Sequence, residues 1–108
     1  MTRTFCLTLA AALLALPATA PAQVTGELDA FWAEMSRTVE EGDFEGYGAL
    51  YHPDAVLVML DRQSVPIGTA LAGWKQLFVD TQEGRAEASV EFRFTNRLND
   101  ATTAHETG

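Results

Sequence analysis

The 108-residue chain holds one cysteine, Cys6, so it forms no internal disulfide and must rely on its core for stability. Basic residues are scarce. Seven Lys and Arg stand against 15 Asp and Glu, a net charge of -8. That balance argues against nucleic acid, whose phosphates call for a basic surface. It argues equally against an anionic membrane surface. No apolar run reaches the roughly 20 residues that span a bilayer. There is no glycine-rich phosphate loop, no Ser-His-Asp order and no metal-ligand cluster in the sequence, so neither a cofactor nor a metal is expected. Apolar residues are not scarce: at 47% they exclude a disordered chain. The length allows one domain.

Residues 1–22 differ from the rest. Arg3 is their only charge, Phe5 to Leu16 is an apolar run, and Ala18-Thr19-Ala20-Pro21-Ala22 follows Pro17. A basic start, a short apolar run and a small-residue site describe a secretory signal, with cleavage expected after Ala22. The product would be exported, periplasmic or secreted. Removing 22 of 108 residues leaves 86, and losing Arg3 takes the net charge to -9. Cys6 leaves with the signal, so the exported chain has no thiol nucleophile. An 86-residue domain buries only about 60–65% of its unfolded surface and is marginal alone.

Hydrophobic periodicity divides residues 23–108. Leu28, Phe31, Trp32, Met35 and Val39 form one stripe and predict a helix over about 27–41. Gly42 suits the left-handed position past its end. Asp43 suits the N-cap of a short second helix with Phe44, Tyr47, Leu50 and Tyr51 inward, stopped by Pro53. Val56–Leu60 reads as a strand buried on both faces, Asp61–Ser64 as a turn, and Val65–Ile67 as an edge strand. Thr69 is the expected cap of a third helix with Leu71, Trp74, Leu77 and Phe78 inward, ended by Gly84. From Ala86 to Thr95 small or apolar residues alternate with polar ones, which predicts a strand with one wet face. Asn99-Asp100 reads as a two-residue hairpin turn before a returning strand. The fold class is α+β, with helices on one side of a mainly antiparallel sheet.

The stretch Glu41-Gly42-Asp43-Phe44-Glu45-Gly46-Tyr47, followed by Leu50-Tyr51-His52-Pro53-Asp54-Ala55-Val56, resembles the nuclear transport factor 2-like superfamily, and within it the SnoaL-like and steroid-isomerase-like branch. Gly68, the helix over Ala70–Glu83 and the alternation to Phe94 continue the resemblance, which covers about 27–108. It implies a cone: three helices on the concave side of a curved sheet, around a pocket, with the sheet's convex face making a homodimer. Isomerases, dehydratases, cyclases, epoxide hydrolases and binding modules share that cone, so it implies a pocket and not a reaction. The family carries further strands beyond the position of Gly108, so the last strands of the sheet are expected to be absent. Matching Gly42-Asp43 and Asp54-Ala55 places Met59 at the branch's catalytic Asp and Met35 at its Tyr. A thioether is neither base nor donor there.

The expected pocket residues are Trp32, Met35, Tyr51, Trp74 and Phe78 from the helices, with Met59 and Phe94 from the strands. Three carboxyl or imidazole groups are candidates for acid/base work: Asp61, His105 and Glu106. Asp61 shares a strand face with Met59, yet Asp is also common in turns. A two-residue turn pairs Phe94 with His105 and turns His105 inward. The family pattern turns Ala104 and Glu106 inward instead, and a one-residue slip exchanges the two. His52 and Asp54 have a ligand-like spacing, or simply cap the irregular connection at Pro53. Glu91 and Arg93 share an outer face. Three readings follow: an exported domain binding a small apolar molecule; an acid/base isomerase, dehydratase or hydrolase using His105 or Glu106 with Asp61; and a dimerisation module with a vestigial pocket.

Overall fold

The computed structural model describes residues 21–108. The expected export signal lies outside them, save for Pro21 and Ala22. The order is α1 Pro21–Glu41, α2 Phe44–Ala49, β1 Val56–Val58, β2 Ser64–Pro66, α3 Ile67–Gln82, β3 Asn96–Asn99 and β4 Ala104–Thr107. This is an α+β fold with three helices. Its strands pair antiparallel as two separate hairpins, β1 with β2 and β3 with β4. No described helix is long and apolar enough to cross a membrane.

Helix α1 is already formed at Pro21, the first described residue, six residues before Glu27, where its stripe is expected to begin. The half-buried Val24 extends the stripe by one step of four to Leu28. Its end follows expectation. Gly42 is left-handed at φ +69°, the Gly42 N–H donates to the Val39 carbonyl at 3.3 Å, and the Asp43 N–H donates to the Thr38 carbonyl at 2.8 Å. Those two bonds satisfy carbonyls that the helix end would otherwise leave unpaired. Asp43 then caps α2, accepting from the Gly46 N–H at 2.9 Å. Arg37 braces the corner from outside, donating to Glu34, Glu41 and Asp43.

Three expectations on the β1–α3 region change. First, Val56–Leu60 is not buried on both faces. Only Leu57 points inward, while Val56, Val58, Met59 and Leu60 are exposed. Among the described residues no second layer covers the outer face of this two-stranded hairpin, which leaves the apolar run exposed. Second, α3 starts at Ile67, without a Thr69 cap. Ile67 is buried and its N–H donates to the Ala55 carbonyl at 2.9 Å, so the strand end supplies the partner a cap would provide. Third, Leu77 is half exposed, and Ile67, Leu71, Trp74 and Phe78 carry the inner side of α3.

Residues 86–94 alternate as the sequence predicts. Ala86, Ala88, Val90, Phe92 and Phe94 are half-buried, and Glu87, Ser89, Glu91 and Arg93 are exposed. They form no ladder among the described residues, so the strand itself is absent. What holds the segment is its side chains. The Trp32 ring of α1 lies 4.6 Å from Phe92 and 5.4 Å from Phe94, centroid to centroid.

The β3–β4 turn is longer than two residues. Asp100 accepts from the N–H groups of Thr102 and Thr103, both at 2.8 Å, and its own N–H donates to the Thr103 carbonyl. An Asp side chain that satisfies two turn amides stabilises the longer loop. The register follows: Leu98 lies opposite His105 and Arg97 opposite Glu106. His105 therefore faces outward, beside the exposed Leu98, and Glu106 faces inward.

Candidate functional site

A cavity of about 390 Å³ opens between α1, α2, α3 and residues 90–92. Helix α1 contributes Phe31, Trp32, Met35 and Val39, and α3 contributes Trp74. Tyr47, Tyr51, Leu57, Val90 and Phe92 complete the wall. The lining follows from the periodicities: the α1 stripe turns every third or fourth residue inward, and the 86–94 alternation turns every second one. Its volume lies in the range of small-molecule sites, about 300–1,000 Å³. A second cavity of about 340 Å³ adjoins it and shares Trp32, Val90 and Phe92. A larger depression of about 710 Å³ beside Glu40 and residues 84–89 has a largely polar lining.

The polar atoms in the apolar wall are few and already committed. The Tyr47 and Tyr51 hydroxyls bond each other at 2.9 Å. Burial, reinforced by the Tyr47 hydroxyl, pushes the Tyr51 phenol well above its ordinary range. The Trp32 indole N–H donates to Glu106 at 2.6 Å, and both residues line the adjoining cavity. Glu106 is 5% exposed and also accepts from Arg97. Arg97 bonds Asp29 of α1 at 2.5 Å and lies over the Phe94 ring, 4.3 Å from its centroid. Asp29 and Glu106 together hold the guanidinium firmly in its charged form. This chain of contacts ties β3 and β4 to α1 and fixes the Trp32 ring that forms one wall.

The floor beneath is an aromatic cluster. Phe78 is buried, with Tyr47 at 4.8 Å and Phe44 at 5.7 Å. Gly42 is what lets α3 come close. A side chain there would meet the Gln82 nitrogen at 2.4 Å and the Phe78 carbonyl at 2.5 Å.

Of the expected pocket residues, Trp32, Met35, Tyr51 and Trp74 line the cavity. Phe78 lies below it, sealed off by Tyr47. Phe94 borders the adjoining cavity instead, its ring covered by Arg97. Met59 lies past the end of β1, in the turn, and is half exposed. Asp61 accepts from the Gln63 N–H in that same turn and lines no part of the cavity. His105 faces out, and Glu106 is occupied by Trp32 and Arg97. The three acid/base candidates are thus held by three different local environments. His52 and Asp54 are both exposed, with the His52 ring accepting from the Asp54 N–H at 3.1 Å, which is a local turn contact. Among the described residues no three His, Cys, Asp or Glu side chains gather as metal ligands would.

Phe31, Val39, Tyr47, Leu57, Val90 and Phe92 also line the cavity, beyond the expected pocket residues. Each lies on an apolar stripe or alternation already visible in the sequence, so the signal existed but did not separate wall from core. The Arg97–Glu106 pair carried a signal too, opposite charges in a hairpin, which only the longer turn brings into register. Compared with known proteins, the chain matches no family model, no curated protein and no solved structure.

Proposed function

We propose that this chain is an exported binding domain that takes one small, largely apolar molecule into the cavity between its helices. The observation that carries the reading is the 390 Å³ cavity itself, walled by aromatic and aliphatic side chains. An apolar, largely pre-formed concavity with few polar groups suits a ligand held by burial. Each 100 Å² of apolar surface removed from water contributes about 2.5 kcal/mol. The two bonded tyrosine hydroxyls offer a single polar contact at the wall.

The reading includes the cone architecture of the SnoaL-like branch. Three helices around the cavity, and a half-buried 86–94 segment facing Trp32, are what a curved wall closing on helices calls for. Export rests on the Arg3 and Phe5–Leu16 pattern. Binding is preferred over acid/base catalysis because no carboxylate or imidazole lines the apolar cavity, and a general base must come within about 3 Å of its proton or one water away.

The test is energy transfer from Trp32 and Trp74 to the neutral apolar probe N-phenyl-1-naphthylamine. Both donors are wall residues, so bound probe should quench them in a saturable way. Leu57→Trp, which fills the cavity from β1, should weaken binding at least tenfold while the fold persists by far-UV circular dichroism. Unaltered affinity in that folded variant would place the probe elsewhere and defeat the proposal.

A further inference from the structure

The stretch from Glu87 to Arg93 has backbone groups that no neighbour satisfies among the described residues. Its side chains nevertheless alternate strictly between half-buried and exposed. The backbone bonds resume only at Thr95, whose N–H donates to the Thr107 carbonyl at 2.8 Å. Gly108 lies against the Arg93 carbonyl on that same edge. In a strand, successive residues aim their N–H and C=O at opposite edges. The groups of Ala88, Val90 and Phe92 thus aim at the edge away from β4, and that edge is open to another strand.

We propose that residues 86–94 pair antiparallel with the same segment of a second copy of this chain, about a two-fold axis through Val90. In this register Val90 meets Val90, and the side chains match at every other step. Arg93 falls opposite Glu87 of the second copy, twice by symmetry. Phe92 falls opposite Ala88, and Phe94 opposite Ala86, so each large ring lies over a small side chain. Glu91 falls opposite Ser89. Directly opposed side chains share a face of the sheet, so opposite charges attract and like charges repel there.

Neighbouring registers match less well. Centring on Glu91 sets that carboxylate against its own copy. Centring on Ser89 sets Glu87 against Glu91 twice. Centring on Phe92 preserves a charge match, Glu91 with Arg93, but opposes the two Phe92 rings and Val90 with Phe94. An odd shift puts apolar inner residues on the wet face. In the lone chain the Arg93 side chain is 82% exposed and, among the described residues, bonded to Glu91 two residues away, at 3.0 Å. It is free to reach a second carboxylate across the axis. Val90 and Phe92 also line the apolar cavity, so the paired strand would brace that wall in both copies.

The experiment is sedimentation equilibrium of the chain over a wide concentration range, with amide hydrogen exchange on the same samples. The expected result is a monomer–dimer equilibrium in which the amides of Ala88, Val90 and Phe92 gain protection as concentration rises. Arg93→Glu should weaken the dimer at least tenfold, because it opposes two carboxylates at each end. Adding Glu87→Arg should restore it, whereas adding Glu91→Arg should not. All three positions are exposed, so the fold should be indifferent to the changes. A monomer at every concentration would overturn the proposal. So would protection of Ala88, Val90 and Phe92 that ignores concentration, which would assign the edge to a partner within the same chain. Rescue by Glu91→Arg in place of Glu87→Arg would overturn the Val90-centred register.

Discussion

Replacing Gly42 by alanine should destabilise the domain far more than the same change at Gly84. Both glycines are left-handed, at φ +69° and +74°. A left-handed backbone costs an alanine about 1–2 kcal/mol. At Gly84 that is the whole effect, because nothing lies within 4 Å of the added methyl. At Gly42 the methyl meets the Gln82 nitrogen at 2.4 Å and the Phe78 carbonyl at 2.5 Å. Those are backbone atoms in α3, so no side chain can swing aside, and the helix must move. Overpacking of this kind costs about 1–3 kcal/mol more. Gly42→Ala should therefore lose about 2–5 kcal/mol, against a total of about 5–15 kcal/mol for such a domain. Urea unfolding followed by far-UV circular dichroism measures both variants, with an unchanged slope expected. The displaced helix also carries Trp74 away from Tyr47, now 6.2 Å apart between ring centroids. Probe binding should weaken in Gly42→Ala and persist in Gly84→Ala. Equal losses of stability in the two variants would refute the close approach of α3.

Three further outcomes are expected. Trp32→Phe keeps a ring but removes the donor to the buried Glu106, and hydrogen bonds to charged groups are worth about 1.5–3 kcal/mol; a loss within about 0.5 kcal/mol, the usual range for surface changes, would mean that the bond is not formed. Leu60→Asp should be neutral within about 0.5 kcal/mol, because Leu60 is fully exposed, and a larger loss in thermal unfolding would return Val56–Leu60 to the core. In a spectrophotometric titration one tyrosine, Tyr51, should ionise well above the ordinary value of about 10, and Tyr47→Phe should bring it down only part of the way, since burial is the larger cause. Because its folded pKa is raised, that contribution to stability is complete below pH about 10 and is lost as the pH rises towards the folded value.

The helices were legible because their signals are local. The α1 stripe, the Gly42 end and the Asp43 cap each depend on residues within a few positions. The alternation over 86–94 was equally plain, and its burial pattern follows it residue by residue. Strand pairing was not, because a ladder needs a partner that no local pattern specifies. Val56–Leu60 shows the same limit from the other side: an apolar run is buried only if another layer covers it. Thr69 lost its expected role as cap, and the burial of Ile67 and its bond to Ala55 start the helix three residues sooner. The hairpin turned on Asp100. Its side chain satisfies two amides and lengthens the turn, and that decides between His105 and Glu106 as the inward residue. The site was half visible for a related reason. Wall and core residues lie on the same stripes, and only the placement of Tyr47 over Phe78 separates them.

The central claim, an apolar binding cavity between the helices, is tested most directly by calorimetric titration with N-phenyl-1-naphthylamine at several temperatures. Burial of apolar surface lowers the heat capacity, by about 45 cal/mol/K for each 100 Å² removed from water. Saturable binding of one molecule per chain, with a clearly negative heat-capacity change, is the result expected. Uptake that never saturates, or a heat-capacity change near zero, would contradict a preformed apolar cavity as the site.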